Sequence, residues 1–181
     1  MLAAVTLPHL GSYTPRAARD RAFADATARF IAAHGARAFG RDPLTGHVTA
    51  SAFVISPDRN SVLLMHHAKL DRWLQMGGHC DGNADVRAVA MREAREETGL
   101  TSIGFVTRKI IDIDVHEIPA RGGEPAHLHH DIRFLMTADP SEPIRRNHES
   151  RALAWIPLKA LETYSRARSI LVLRDRLAEI R

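Results

Sequence analysis

Residues 77–100 read GGHCDGNADVRAVAMREAREETGL, and this stretch carries the strongest structural signal in the chain. It contains Glu93, Glu96 and Glu97, which are three and four residues apart and therefore share one face of a helix predicted over residues 85–98. Three carboxylates on one face repel one another. The face therefore needs either arginine neighbours or divalent cations, which prefer oxygen ligands.

The spacing resembles the signature of the Nudix hydrolase family: glycine, five residues, glutamate, seven residues, then Arg-Glu-apolar-any-Glu-Glu-any-Gly-apolar. The matching residues are Gly78, Arg92, Glu93, Ala94, Glu96, Glu97, Gly99 and Leu100. One position departs, because the first glutamate of the signature falls on Ala84. Asp85 comes next and lies about two helical turns before Arg92. We expect Asp85 to take over the pairing with Arg92 that supports this motif, called the Nudix box below.

The resemblance implies an α/β fold of the Nudix type, which is an α/β/α sandwich with a mixed sheet. Alternating or β-branched runs predict strands over residues 47–55, 61–65, 103–118, 127–137 and 153–156. A helix is predicted over 14–38, with Thr14 as its N-cap and Gly35 as an earlier end. We therefore predict an N-terminal helical extension over 1–46 and a Nudix domain over 47–181, within one globular unit.

The resemblance also implies a hydrolase that cleaves a pyrophosphate linkage, in a nucleoside diphosphate joined to another group, by attack of water on phosphorus. It implies that Glu93, Glu96 and Glu97 bind Mg²⁺ or Mn²⁺, together with the carbonyl of Gly78. The general base of the family varies in position. Glu149, which precedes the predicted strand that contains a tryptophan, is our candidate for it.

Other charged residues are candidates for binding substrate. Lys69 and Arg72 precede the box and could contact phosphate. If the strands over 111–116 and 127–134 pair, one polar face combines residues of both. Its members are His129, Asp131, Arg133, Asp112, Asp114 and His116. We take His129, Asp131 and Arg133 as substrate-binding candidates, and leave open a transition-metal site or a solvated sheet face.

Composition limits the class of protein and its partners. The chain has 181 residues, of which 45% are hydrophobic and 25% charged, as is usual for a globular domain. The net charge of +4 favours anionic partners only weakly. Cys80 is the one cysteine, and we find neither a signal peptide nor an apolar run that could span a membrane, so we expect a cytoplasmic protein. The expected partner is a small diphosphate substrate, with no membrane and no nucleic acid beyond an RNA 5′ end, and a homodimer is left open.

Two alternatives remain at this point. An isomerase of the isopentenyl diphosphate type shares the Nudix fold and uses a catalytic cysteine, and Cys80 and the eleven histidines favour it slightly. A ligand-sensing module without catalysis is favoured by Ala84. The retained glutamates of the box favour the hydrolase over both.

Overall fold

The computed structural model of the protein describes residues 10–180. Residues 1–9, which begin the predicted extension and were not identified as a signal peptide, lie outside the described part, as does residue 181. The helices are α1 (Ala18–His34), α2 (Val86–Thr98), α3 (Leu161–Tyr164) and α4 (Arg168–Glu179). The strands are β1 (Gly46–Ile55), β2 (Ser61–His67), β3 (Arg72–Leu74), β4 (Met76–His79), β5 (Gly104–Ile118), β6 (His127–Thr137) and β7 (Ser150–Pro157).

A mixed sheet is built around β1. This strand runs parallel to β6 along its whole length, from the pair Gly46–Leu128 to the pair Ile55–Thr137. On its other side it pairs antiparallel with β4 and, at its end, with β2. The order β3-β2-β1-β6-β5 is completed by β4 on β1 and β7 on β2. All ten residues of β1 are buried, as expected for a strand covered on both faces.

Helices cover both faces of the sheet. One apolar cluster joins α2 to the sheet through residues such as Val89 and Ala50, and a second joins α4 through residues such as Leu173 and Phe53. The expected α/β/α sandwich with a mixed sheet is therefore confirmed. In the described part of the chain, none of the helices combines the length and the apolar character needed to cross a membrane.

The N-terminal helix starts later than predicted, and it stops at the earlier end that Gly35 indicated in the sequence. It begins at Ala18 with Ala17 as its N-cap, so Thr14 does not cap it. It ends at His34, and Gly35 continues the chain with a φ of 57° into a 3₁₀ turn that ends at Phe39. The helix packs against β5 and contributes Ile31 to the core it shares with α2. The division of the chain at residue 46 stays a prediction.

Candidate active site

Helix α2 presents two carboxylates to the glycine pair of β4. The helix is terminated by Gly99 in the left-handed conformation, with a φ of 69°. The Glu97 carboxylate accepts a hydrogen bond of 2.9 Å from the backbone N–H of Gly77 and is only 2% exposed. The Glu93 carboxylate lies against Gly78, where a Cβ atom would stand 2.6 Å from the Glu93 Cδ. A glycine at position 78 therefore leaves the space that the Glu93 carboxylate occupies.

Burial and neighbouring carboxylates raise the pKa values of Glu93 and Glu97. Burial, followed by the charges of Glu93, Glu149 and Glu96, raises the pKa of Glu97 to about 8, although the Gly77 N–H acts against this rise. Burial and the charges of Glu96 and Glu149 also raise the pKa of Glu93, against the effect of Arg92. Because Glu149 acts on both residues, the structure brings it near the box from a distant part of the sequence.

Arg92 and Asp85 stabilise the box separately. Arg92 pairs with Glu93 at 2.8 Å and with Glu96 at 3.1 Å, and it donates to the carbonyl of His79 at 3.2 Å. Asp85 is instead the N-cap of α2, where its Oδ1 accepts from two backbone N–H groups of the first turn at 3.2 and 3.1 Å. The expected Asp85–Arg92 pair is therefore wrong. An aspartate immediately before a helix accepts hydrogen bonds from the free N–H groups of the first turn. These bonds hold the Asp85 side chain at the start of α2 and away from Arg92.

Glu149 is held at the end of β2 by its backbone. Its carbonyl accepts from the N–H of Ala68 at 2.8 Å, which ties this segment to the β2–β3 turn. Its side chain is 48% exposed, so the carboxylate is accessible from solvent. Lys69 lies in the same turn and Arg72 begins β3, and both are exposed. The candidate base thus contacts the turn that carries Lys69 and leads to Arg72.

Comparisons with known proteins agree with this geometry. The family model described as NUDIX domain matches residues 45–175, which is most of the chain. The chain belongs to the NUDIX family. This confirms the resemblance found in the sequence and the assignment of the chain as an enzyme, a Nudix pyrophosphohydrolase.

Solved structures share the Nudix fold at low sequence identity. An Ap4A hydrolase of C. elegans has a TM-score of 0.59 and 16% identity, with 73% of this chain and 95% of that chain covered. A NUDIX-family hydrolase of Clostridium perfringens has a TM-score of 0.55 and 24% identity, with 75% and 98% covered. A bifunctional NMN adenylyltransferase/ADP-ribose pyrophosphatase of Francisella tularensis, complexed with AMP and Mn, has a TM-score of 0.51 and 20% identity, with 74% and 42% covered. No curated protein matches the chain.

On the polar face that β5 and β6 share, the three aspartates and the arginine are buried in this Nudix protein. The predicted pairing is confirmed, since Asp112 lies opposite Arg133 and Asp114 lies opposite Asp131. Arg133 is 1% exposed and donates to all three aspartates, at 3.1, 3.0 and 2.8 Å respectively from Asp112, Asp114 and Asp131. A solvated sheet face is therefore wrong. The structure also does not place Asp131 and Arg133 for substrate contact, because their side chains are buried and bound to each other.

Two helices supply the charges that complete this network. Arg176 of α4 donates to Asp20 of α1 at 2.7 Å and to Asp112 at 2.8 Å, and Arg19 of α1 pairs with Asp114. Burial raises the pKa of Asp112, whereas His116 and Arg133 overcome burial and lower the pKa of Asp114 to about 2. The network holds α1 and α4 against the sheet.

Four histidines lie on this same face of the sheet, beyond the buried aspartates. They are His47 of β1, His79 of β4, and His127 and His129 of β6. Burial, and then the neighbouring histidines, lower the pKa of His47 to about 4 and that of His129 to about 2. The rings of His47 and His129 are therefore neutral at pH 7. Of the four, only His129 was a substrate-binding candidate from sequence, although His127 shares its face through the alternation of the strand. His47 and His79 join them through strand pairing that no local pattern shows.

Proposed function

We propose that this Nudix enzyme hydrolyses a pyrophosphate linkage in a nucleoside diphosphate joined to another group, with Mg²⁺ or Mn²⁺ bound by α2 and β4. The observation that carries the proposal is the packing of the carboxylates of Glu93 and Glu97 against the two glycines of β4. The proposed ligands are Glu93, Glu96, Glu97 and the carbonyl of Gly78. The Francisella tularensis structure, which is described as a complex with a Mn ion, supports the choice of metal.

The chemistry of the acidic cluster fits a divalent cation. Four carboxylates lie near one another, and burial, followed by the charges of the neighbouring carboxylates, raises the pKa values of Glu93 and Glu97. Arg92 compensates part of this charge, and it does so for Glu93 and Glu96 rather than for Glu97. Hard oxygen ligands in this number suit Mg²⁺, which is usually held by a few carboxylates and by substrate phosphate.

Each residue of the site has a role in this proposal. A bound cation supplies charge neutralisation and lowers the pKa of a bound water. Glu149, which is accessible from solvent, takes the proton of the attacking water. Lys69 and Arg72 lie at the same edge and bind phosphate oxygens of the substrate. Gly78 keeps the backbone close to Glu93, so that its carbonyl and that carboxylate reach the same space.

The isomerase alternative is disfavoured by the environment of its required thiol. Cys80 is 2% exposed, and burial together with the charge of Asp131 raises the pKa of its thiol to about 12. A thiol in this state is a poor nucleophile and a poor acid–base group at neutral pH. The buried and reduced Cys80 supports the proposal of a cytoplasmic location.

The test is hydrolysis of a substrate panel that includes a diadenosine polyphosphate, ADP-ribose and nucleoside triphosphates, with Mg²⁺, Mn²⁺ or a chelator. We expect metal-dependent release of phosphate-containing products. Glu97→Gln should lower the rate about 10²–10⁴-fold, because several kcal/mol of charge stabilisation are lost. Glu162→Gln is the matched control, since Glu162 is exposed and pairs with Arg174 on the surface. Metal-independent cleavage, or an unchanged rate in Glu97→Gln, would contradict the proposal. A folded protein that binds panel members but cleaves none would support the sensing module.

A further inference from the structure

Three histidine side chains converge at the start of β1 and β6. One ring nitrogen from each of His47, His127 and His129 lies within 4.8 Å of the others. Within residues 10–180 this is the one group of three or more histidine, cysteine or carboxylate side chains that meets this distance. The glutamates of the Nudix box do not meet it.

Two of the three rings have a buried nitrogen without a hydrogen-bond partner. The Nε2 atoms of His47 and His129 are buried and lack any hydrogen bond. His47 as a whole is only 6% exposed. A buried polar atom without a partner is unfavourable, by about 1–3 kcal/mol, and is rare in native structures. Both rings are neutral, so each has one nitrogen with a free lone pair.

A backbone carbonyl fixes one nitrogen of the His127 ring as a donor. Its Nδ1 lies 2.9 Å from the carbonyl oxygen of Pro125, which can only accept, so Nδ1 carries the proton and donates. The lone pair is therefore on Nε2. Metal-binding histidines commonly donate their other ring N–H to a backbone carbonyl, which fixes the tautomer and the orientation of the ring.

This histidine cluster and the Nudix box lie on opposite faces of one strand. Gly78 faces the Glu93 carboxylate on α2, whereas the next residue, His79, contacts the rings of His47 and His129. Successive residues of a strand point to opposite faces, so the sheet separates the two sites. A pocket next to the three rings is lined also by Arg41 and Glu124.

We propose that His47, His127 and His129 form a binding site for one divalent transition-metal ion, separate from the carboxylate site of the Nudix box. Zinc is the ion used to test this site. Three neutral imidazoles suit zinc, nickel, copper or iron and do not suit Mg²⁺. A tetrahedral zinc ion about 2.0–2.1 Å from each nitrogen needs ligand atoms ~3.3 Å apart. The three nitrogens lie within 4.8 Å of one another, so zinc binding would draw them closer together. The fourth position faces the pocket and takes water or an anionic ligand. The proposal does not depend on the proposed hydrolysis.

The test measures zinc binding to the full chain, prepared without a histidine tag and stripped of metal with a chelator. Calorimetric titration should show one strong zinc site per chain, and Co²⁺ should give the visible absorption of a tetrahedral complex. His127→Gln and His129→Gln should each weaken zinc binding at least about 100-fold. Zinc at ~100 times its Kd should raise the Tm of the wild type by about 5–10 °C and leave both variants nearly unchanged.

Two controls separate this site from the Nudix box and from general surface binding. His148→Gln should bind zinc like the wild type, because the His148 side chain is 90% exposed and lies outside the cluster. Glu97→Gln, which disables the carboxylate site, should keep the strong zinc site. The proposal is overturned if the wild type has no strong site, if both histidine variants bind zinc as the wild type does, or if Glu97→Gln abolishes the site. Circular dichroism checks the fold of each variant, and His127→Gln decides the outcome if His129→Gln does not fold.

Discussion

Replacing Glu97 with glutamine should stabilise the metal-free protein at alkaline pH while it removes activity. The Glu97 carboxyl is almost fully buried, and its pKa is raised from 4.5 to about 8 by burial and by the neighbouring carboxylates. A group with a raised folded pKa binds its proton more tightly in the folded state. Its stabilising contribution is therefore fully present below pH 4.5, the unfolded value, and is lost as the pH rises through about 8.

The size of the effect follows from these two pKa values. Over the whole interval, the free energy of unfolding falls by at most about 5 kcal/mol. The buried histidines act in the opposite direction, because their pKa values are lowered. Their contribution to stability rises with pH up to about their usual pKa of 6.5. Above that value each adds no more than about 0.4 kcal/mol, and this addition is common to the wild type and Glu97→Gln. Between pH 6.5 and 8 the wild type should therefore lose about 1.5–2 kcal/mol through Glu97.

Urea denaturation in a chelator, at pH 6.5 and at pH 8, measures this difference. The wild type should lose more stability than Glu97→Gln by about 1.5–2 kcal/mol, because a glutamine does not titrate but still accepts from the Gly77 N–H. The contribution of Glu93 is present in both proteins and cancels except for the part that comes from its coupling to Glu97. Added Mg²⁺ should raise the stability of the wild type at pH 8 and not that of the variant. Equal pH dependence in the two proteins would refute the account of Glu97.

Four further substitutions test the structure around the site. Gly78→Ala should lower metal-dependent activity and change stability by less than about 1 kcal/mol, because only the flexible end of Glu93 has to move. Gly77→Ala should instead lower stability by about 2–4 kcal/mol, because the new Cβ would stand 2.7 Å from the Ser51 Cα. Equal urea midpoints for the two glycine variants would contradict this contrast. Arg133→Met should lower the unfolding free energy by about 3–5 kcal/mol, since each of three buried aspartates loses the partner that joins it to the other two, and a loss below about 1 kcal/mol would argue against the network. Asp85→Ala should cost about 1 kcal/mol through the lost N-cap and leave the Mg²⁺ affinity unchanged, whereas weaker Mg²⁺ binding would restore the expected role beside Arg92.

The Nudix box could be predicted because its signal is local. The periodic carboxylates and the final Gly99 fix α2 within one residue of the predicted helix, and they do not depend on any distant contact. The pairing of β5 with β6 was equally accessible, because alternating polar residues identify one face of each strand. Strand β4 was not predicted, since its residues Met76–His79 include two glycines and no apolar alternation. It becomes a strand through pairing with β1.

The burial of the polar face could not be predicted from the strands alone. Asp112, Asp131 and Arg133 alternate with apolar residues, and this pattern is typical of a solvated face. Their burial depends on α1 and α4, which bring Arg19, Asp20 and Arg176 from both ends of the chain. The histidine cluster has the same origin, because His47 and His129 are neighbours only through the parallel pairing of β1 with β6.

Anomalous diffraction from a crystal of this protein soaked with Mn²⁺ tests the central proposal most directly. Manganese should occupy the space between Glu93, Glu97 and the carbonyl oxygen of Gly78, with carboxylate oxygens bound to the ion. A fully occupied ion elsewhere, with these side chains still bound only to Arg92 and to the Gly77 N–H, would contradict a divalent-metal site on the Nudix box.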